Sequence, residues 1–201
     1  TINGDYAKLS GITTTATDTG TSTLTITVND AVTAAQGNTA LGLTDGTVIY
    51  GGGVSDTFAN LVNAGNSAVS TNMGNIDNAD ADVAVAVSDT IGTATTANVA
   101  DLNALLGATT GTVTATINGS AANLASLAAT SGDAGTSTLT ITVNDVATAA
   151  RGAAIANATD AGTVDFSAAG VSDTFANLVN AGNSAVSANM ALIDDKDADV
   201  A

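Results

Sequence analysis

The sequence predicts an α/β fold: a right-handed β-α solenoid of parallel strands and helices, curved, with about four coils in each 115–117-residue repeat. Three observations predict it. Gly20–Asp30 (GTSTLTITVND) returns unchanged at Gly135–Asp145, and Gly53–Ser70 (GVSDTFANLVNAGNSAVS) returns unchanged at Gly170–Ser187. Inside that long repeat, alternating apolar runs end in Val or Ile, then a small polar residue, then Asp or Gly. Between the runs, apolar residues recur every three to four positions, as on one face of a helix.

The alternating runs close on Gly4, Asp30, Asp56, Asp89, Gly119, Asp145 and Asp173. Successive side chains of a strand point to opposite faces, so Leu24, Ile26 and Val28 share one face and Thr23, Thr25 and Thr27 the other. Val83, Val85 and Val87 repeat the inward pattern, as do Val113, Ala115 and Ile117, then Leu139, Ile141 and Val143, then Val171. Aligning the closing residues predicts apolar ladders two, four and six residues before each.

The stretches after the closing residues read as helices, with Asp30, Asp56, Asp89, Asp145 and Asp173 expected to cap the helix that follows each. Phe58, Leu61, Val62, Gly65, Val69, Met73 and Ile76 predict one long helix after Asp56, and Phe175, Leu178, Val179, Val186, Met190 and Ile193 predict its twin. Val99, Leu102, Leu105 and Leu106 form a second stripe, and Leu124 with Leu127 a shorter one. Gly42–Gly46, Thr109–Gly111 and Ser131–Gly135 are turn clusters. A strand of about seven residues spans roughly 23 Å and a helix of about 13 residues roughly 20 Å, so each can run back along the other. Parallel successive strands favour right-handed crossovers. Strands stack about 4.8 Å apart but helices at about 8–10 Å, so the helix side must splay and leave the strands on a concave side. Thr-alternating strands also suit a string of small β-sandwiches, and the helical stripes between nearly all strands argue against it.

Residues 1–115 form the first long repeat and 116–201 a second, incomplete one, within one continuous array. The opening TING matches Thr116–Gly119 and the closing DADVA matches Asp80–Ala84, so the reading expects an excerpt of a longer repetitive protein.

All 19 acidic residues are Asp, and Lys8, Arg151 and Lys196 are the only cations, for a formal charge of −16. Nucleic acid needs Lys and Arg to neutralise phosphates, so it is not an expected partner, nor is an anionic membrane surface. The sequence holds no apolar run long enough for a transmembrane segment. Cys, His, Trp, Pro and Glu are absent, which removes the common catalytic triads, zinc sites and disulfides. The Ser55–Asp56 and Ser172–Asp173 pairs read as turns and caps, and Gly51–Gly53, with no Gly-Lys-Ser/Thr after it, as a tight strand entry. No enzyme is expected.

VSDTFANL, VSDTIGTATTANVADLNALLG and INGSAANLASL resemble the "VSDTAANL…LNAL" repeats of large secreted bacterial proteins. Those include cell-surface and type I-secreted proteins of cyanobacteria and proteobacteria, often with calcium-binding RTX segments elsewhere. The resemblance covers almost the whole chain and implies an extracellular structural or adhesive role. The RTX nonapeptide GGxGxDxUx is not in this sequence, so that mode of calcium binding does not carry over.

The candidate calcium ligands are Asp77, Asp80 and Asp82, which align with Asp194, Asp197 and Asp199, with Asp195 adding a carboxylate and Lys196 opposing them. Short-spaced Asp residues suit a cation that takes six to eight oxygens. The Thr-x-Thr rows raise ice binding, against which Gly51, Gly53, Ala84 and Ala86 interrupt the row. The leading expectation is a non-catalytic extracellular filament, surface layer or sheath built by stacking on copies of itself, through the ladder residues. A calcium-stiffened adhesin stalk or ligand-binding array, with cell-surface polysaccharide as a partner, is the alternative.

Overall fold

A computed structural model describes residues 1–12, 23–128, 134–166, 170–180, 182, 184–197 and 200. The fold is mixed α/β with parallel sheets. The order is β1 (Ile2–Gly4), α1 (Tyr6–Leu9), β2 (Ile26–Val28), α2 (Ala34–Leu41), β3 (Val48–Tyr50) and β4 (Val54–Asp56). There follow α3 (Phe58–Leu61), β5 (Val62–Asn63), β6 (Ala68–Val69), α4 (Thr71–Ala79), β7 (Val85–Ala94), α5 (Thr96–Ala108) and β8 (Thr112–Gly119). The remainder is α6 (Ala121–Leu124), β9 (Thr136–Val143), α7 (Ala149–Ala156), β10 (Thr163–Asp165), α8 (Phe175–Leu178), β11 (Val179–Asn180), β12 (Ala185–Val186) and α9 (Ala188–Lys196).

Two parallel sheets run in chain order, β1-β2-β3 and β4-β7-β8-β9-β10. A turn at Gly51–Gly53, with Gly53 at φ 74° and its N–H on the Tyr50 carbonyl, separates β3 from β4. The parallel bridge Val32–Val54 carries the pairing across that break. Within each of these two sheets the strands thus follow one another in chain order, with helices between them and, between β4 and β7, a helix, the β5–β6 hairpin and a second helix.

Alternation places the core as expected. Ile26, Val28, Val85, Val113, Ala115, Ile117, Leu139, Ile141 and Val143 are buried against the helices. Each such Val, Leu or Ile contributes about 1.5–3 kcal/mol through burial. Val83 is buried just ahead of β7, while Leu24, Val87 and Val171 are only half-buried.

The ladder register differs from the aligned closing residues. Val28 lies beside Tyr50 rather than Val54, and Ile117 beside Ile141 and Ile91 rather than Val143 and Val87. The slip is two or four residues between β1 and β2, β2 and β3, β4 and β7, and β8 and β9, but five between β9 and β10, and it changes along β7, which is irregular between Ala86 and Thr90 and between Ile91 and Ala94. An even slip keeps every apolar side chain on its face, so alternation alone does not reveal it.

The long helices predicted after Asp56 and Asp173 are also corrected. Each is a four-residue helix, an antiparallel two-residue hairpin and a nine-residue helix. The hairpin turns through the left-handed region, with Gly65 at φ 77° and Ser67 at φ 51°, then Gly182 at 89° and Ser184 at 50°. A glycine adopts that conformation without penalty, and a serine does so at a cost. Helix α5 matches its stripe, whereas α6 ends at Leu124 and Leu127 is buried in the turn beyond it.

Helix packing explains how helices keep company with closely spaced strands. Helix α4 lies against α2 at Gly37, where an added Cβ would fall 2.6 Å from Ile76 Cδ1. Helix α9 lies against α7 at Gly152, with the same 2.6 Å approach to Ile193 Cδ1. The absent side chain is what permits the approach.

Candidate functional site

The chemistry of this chain is concentrated where one strand–helix unit meets the next. Register dictates it. Ile2 beside Ile26 brings Asp30 level with Tyr6, and Val32 beside Val54 brings Asp56 level with Ala34. By the same register Asp89 meets Phe58, Asp145 meets Ala121 and Asp173 meets Ala149. Each of these partners is the first residue of a helix in the preceding unit.

The five carboxylates accept those five N–H groups. Tyr6 N donates to Asp30 Oδ1 at 2.7 Å, Ala34 N to Asp56 Oδ2 at 3.0 Å and Phe58 N to Asp89 Oδ1 at 2.6 Å. Ala121 N donates to Asp145 Oδ1 at 2.5 Å and Ala149 N to Asp173 Oδ2 at 3.1 Å. First-turn N–H groups have no partner inside their own helix, and the positive helix end favours a carboxylate. The aspartates are therefore caps, as their chemistry suggests, but of the preceding helix rather than the following one. Apart from Asp5 before α1, the cap positions hold Ser or Thr, and Thr33, Ser70, Thr95, Ser120, Thr148 and Ser187 accept from the third residue of their own helices.

Asp56 and Asp173 reach both ways. Asp56 Oδ1 also accepts from Thr57 N and Asn60 Nδ2, and Asp173 Oδ1 from Thr174 N and Asn177 Nδ2. The hydrogen bonds from Asn177, Thr174 and Ala149 hold the Asp173 carboxyl below its ordinary pKa. Helix α5 is completed differently: the next closing residue is Gly119, which pairs with Ala94 and carries no carboxylate. Its N-terminus relies on a reciprocal Thr95–Asn98 capping box.

Other links between units were not legible in the periodicity. Asp101, buried on α5, accepts Gly65 N at 2.7 Å and Ser67 N at 2.8 Å, and so holds the left-handed turn of the β5–β6 hairpin. Asp160 accepts Ser137 N at 2.7 Å. The buried hydroxyl of Thr109 donates to the Val83 carbonyl and accepts Gly111 N, and Thr44 does the same between Leu24 and Gly46. The only signal for the Thr44, Thr109 and Asp160 links in the sequence is a Thr or Asp two residues before a strand-entry glycine, and Asp101 has none.

The acidic clusters are divided by the fold. Asp80 follows α4 and accepts Tyr50 N at 2.7 Å, and Asp197 follows α9 and accepts Phe166 N at 2.6 Å. Burial, and then the Asp80 charge, push the Tyr50 hydroxyl well above its ordinary pKa, and that hydroxyl donates to the Gly37 carbonyl. Burial raises the Asp80 carboxyl, the bond from Tyr50 N opposes it, and the neighbouring carboxylate of exposed Asp82, which accepts from the protonated form of Asp80, raises it further. Burial also raises Asp77, whose Oδ1 is buried without a partner. Asp194 and Asp195 are exposed, and Asp199 lies outside the described residues. Lys196 does not sit among these carboxylates: its Nζ donates to the Thr159 and Asp160 carbonyls at 3.3 Å. Among the described residues no three acidic side chains are grouped to hold a metal ion.

At least nine of the 19 aspartates thus accept a backbone N–H from the preceding unit. The arrangement binds polypeptide backbone. No helix among the described residues is long and apolar enough to cross a membrane. No family model, curated protein or solved structure matches the chain.

Proposed function

We propose that this chain is a non-catalytic, extracellular structural protein, a right-handed β-α solenoid whose function is to extend by stacking strand–helix units into a filament, surface layer or sheath. The observation that carries the reading is the run of aspartates that each complete the helix of the preceding unit. A unit whose helix is capped by its successor leaves an unfinished helix wherever no successor lies, and such a surface favours addition. Parallel strands with open edges supply the second half of the contact, since an unpaired strand is a template for another. The likeness of VSDTFANL and its companions to repeats of secreted bacterial proteins supports the outer location. The absence of His and Cys from the sequence supports a role without catalysis.

Electron microscopy of the chain at increasing concentration tests this: rods, fibres or sheets of regular spacing are expected, and single compact particles at every concentration would sink it.

The second reading is a calcium-stiffened stalk. It is favoured by the contact between Asp80 and Asp82 and by the orphan Asp77 oxygen, since a cation would relieve both. Under that reading millimolar calcium raises the melting temperature and a chelator reverses it; a melt indifferent to both removes it.

A further inference from the structure

The register that displaces the expected ladders also rearranges the outward face of the larger sheet. Val113, Ile117, Leu139, Ile141 and Val164 turn inward and are buried, so the residues between them face out. Thr90 lies beside Thr116, Thr116 beside Thr140 and Thr140 beside Thr163, a row unbroken across β7, β8, β9 and β10. Thr114 beside Thr138 and Thr112 beside Thr136 extend the row into a two-dimensional array. Thr90 and Thr163 belong to no Thr-x-Thr run, so only the register brings the row together. The positions expected to interrupt it fall to one side. Gly51 and Gly53 lie in the turn between the sheets, and Ala84 and Ala86 line a shallow groove of about 200 Å³ with Gly52 and Ser55.

The array is neutral, rigid and open. Thr90, Thr140 and Thr163 are exposed and Thr116 is half-buried. Among the described residues no protein group hydrogen-bonds the hydroxyls of the row. A β-branched side chain is stiff at its first torsion, so each hydroxyl and methyl is held in place. The chain carries a formal charge of −16, yet these four strands hold only two aspartates. Asp89 accepts Phe58 N, and Asp165 lies at the far edge beside Thr142.

We infer that the outward face of β7, β8, β9 and β10 binds the surface of ice. Neighbouring strands stand about 4.7–4.9 Å apart, and alternate residues along a strand roughly 6.6–6.8 Å apart. Both spacings lie near the two repeats of water oxygens on a prism face of hexagonal ice. The hydroxyls take positions in that lattice, and the methyls between them order the water that joins it. A neutral face suits a neutral lattice. A crystalline polysaccharide is a poorer occupant, because these strands carry no aromatic ring to stack on a sugar. Pairing of two copies face to face would bury hydroxyls without partners and bring like charges together. Ice binding needs no stacking of units, although strands added to the same sheet would lengthen the array.

The test grows single ice crystals in a solution of the chain and measures its partition into a slowly frozen ice shell. Faceted crystals, a freezing point held below the melting point and enrichment of the chain in the ice are expected. Thr140→Tyr places a bulky strand former in the middle of the row and should shrink the freezing gap about tenfold. Thr163→Tyr, at the edge of the row, should shrink it by a smaller factor and carries the comparison if Thr140→Tyr does not fold. Ile49→Tyr, exposed on the smaller sheet, should leave the gap unchanged. Thermal melts followed by circular dichroism establish that each variant is folded. Round crystals and a chain excluded from the ice overturn ice binding. So does a freezing gap that both threonine variants leave intact, or that folded Ile49→Tyr abolishes. Retention on crystalline cellulose, or dimers that Thr140→Tyr breaks, with no effect on ice, would give the face to another occupant. Fibres without any effect on ice would leave stacking standing and remove this face. Ice shaping by chains that never form fibres would do the reverse.

Discussion

Gly53–Ser70 and Gly170–Ser187 are the same eighteen residues, yet Phe58, Leu61 and Val62 are buried whereas their counterparts Phe175, Leu178 and Val179 are exposed or half-buried. Their backbones agree, from the four-residue helix to the left-handed serine, so local sequence suffices to build helix and hairpin. What differs is burial, and burial is supplied by the neighbour. Here the apolar face of one strand–helix segment is covered by the next, so the burial of a residue depends on what its segment packs against.

Matched substitutions test that statement most directly. Phe58→Ala should cost about 3–5 kcal/mol in denaturant unfolding, because the ring is covered by β7 and α5. Phe175→Ala, an identical change in an identical segment, should fall within about 0.5 kcal/mol. Equal costs at the two sites would show that the neighbour contributes nothing.

Asp101→Ala comes next. It strips the acceptor from two backbone N–H groups of the first hairpin, and hydrogen bonds to a charged group are worth about 1.5–3 kcal/mol. Amide exchange at Gly65 and Ser67 should accelerate toward that of Gly182 and Ser184, making the first hairpin resemble the second. Exchange that stays slow would separate the hairpin's order from the carboxylate.

A third pair probes a contact that the two regions share. Gly37→Ala and Gly152→Ala each drive a Cβ into an isoleucine methyl, so both should destabilise by about 1–3 kcal/mol despite the better helix propensity of Ala. A stabilised variant at either site would mean that Ile76 or Ile193 can move aside.

The smallest effect is a pH dependence. Burial raises the folded-state pKa of Asp77 above its ordinary value of 3.8, so the folded protein holds that proton more tightly than the unfolded chain. Its contribution to stability is complete below the ordinary value and is lost as pH rises through the raised one. Asp77→Asn should therefore raise the melting temperature at pH 7 and leave it nearly unchanged at pH 3. Asp194→Asn, at the exposed counterpart, is the control.

Much of the fold was legible because alternation survives any even slip. Ile26, Val28, Ile117 and Ile141 could be assigned to the core without knowing their partners. Helix α5 was legible because Val99, Leu102, Leu105 and Leu106 keep the period through thirteen uninterrupted residues. The stripe from Phe58 to Ile76 kept a similar period and misled, since Leu61, Val62 and Val69 face the core from a helix, a strand and a strand in turn. Periodicity reports which residues are buried, and only the NAGNS turn reports that the chain reverses between them.

The candidate site was half legible. Asp30, Asp56, Asp89, Asp145 and Asp173 stood out as caps because a carboxylate after a strand has little else to do. Which helix they cap depends on a register offset of two or four residues, set by turn lengths and packing across the sheet. Asp101 gave no signal, because its partner lies 36 residues away on a hairpin that periodicity had read as helix.

By itself the sequence determined the alternation of strands and helices, the inward face of each strand and the residues able to cap. Those depend on backbone geometry and side-chain chemistry within a few positions. The tertiary structure decided the register, the hairpins and the direction in which each aspartate reaches. Those depend on contacts between units twenty to thirty residues apart, where several alignments satisfy the same local pattern and only packing and hydrogen bonding across the sheet select one.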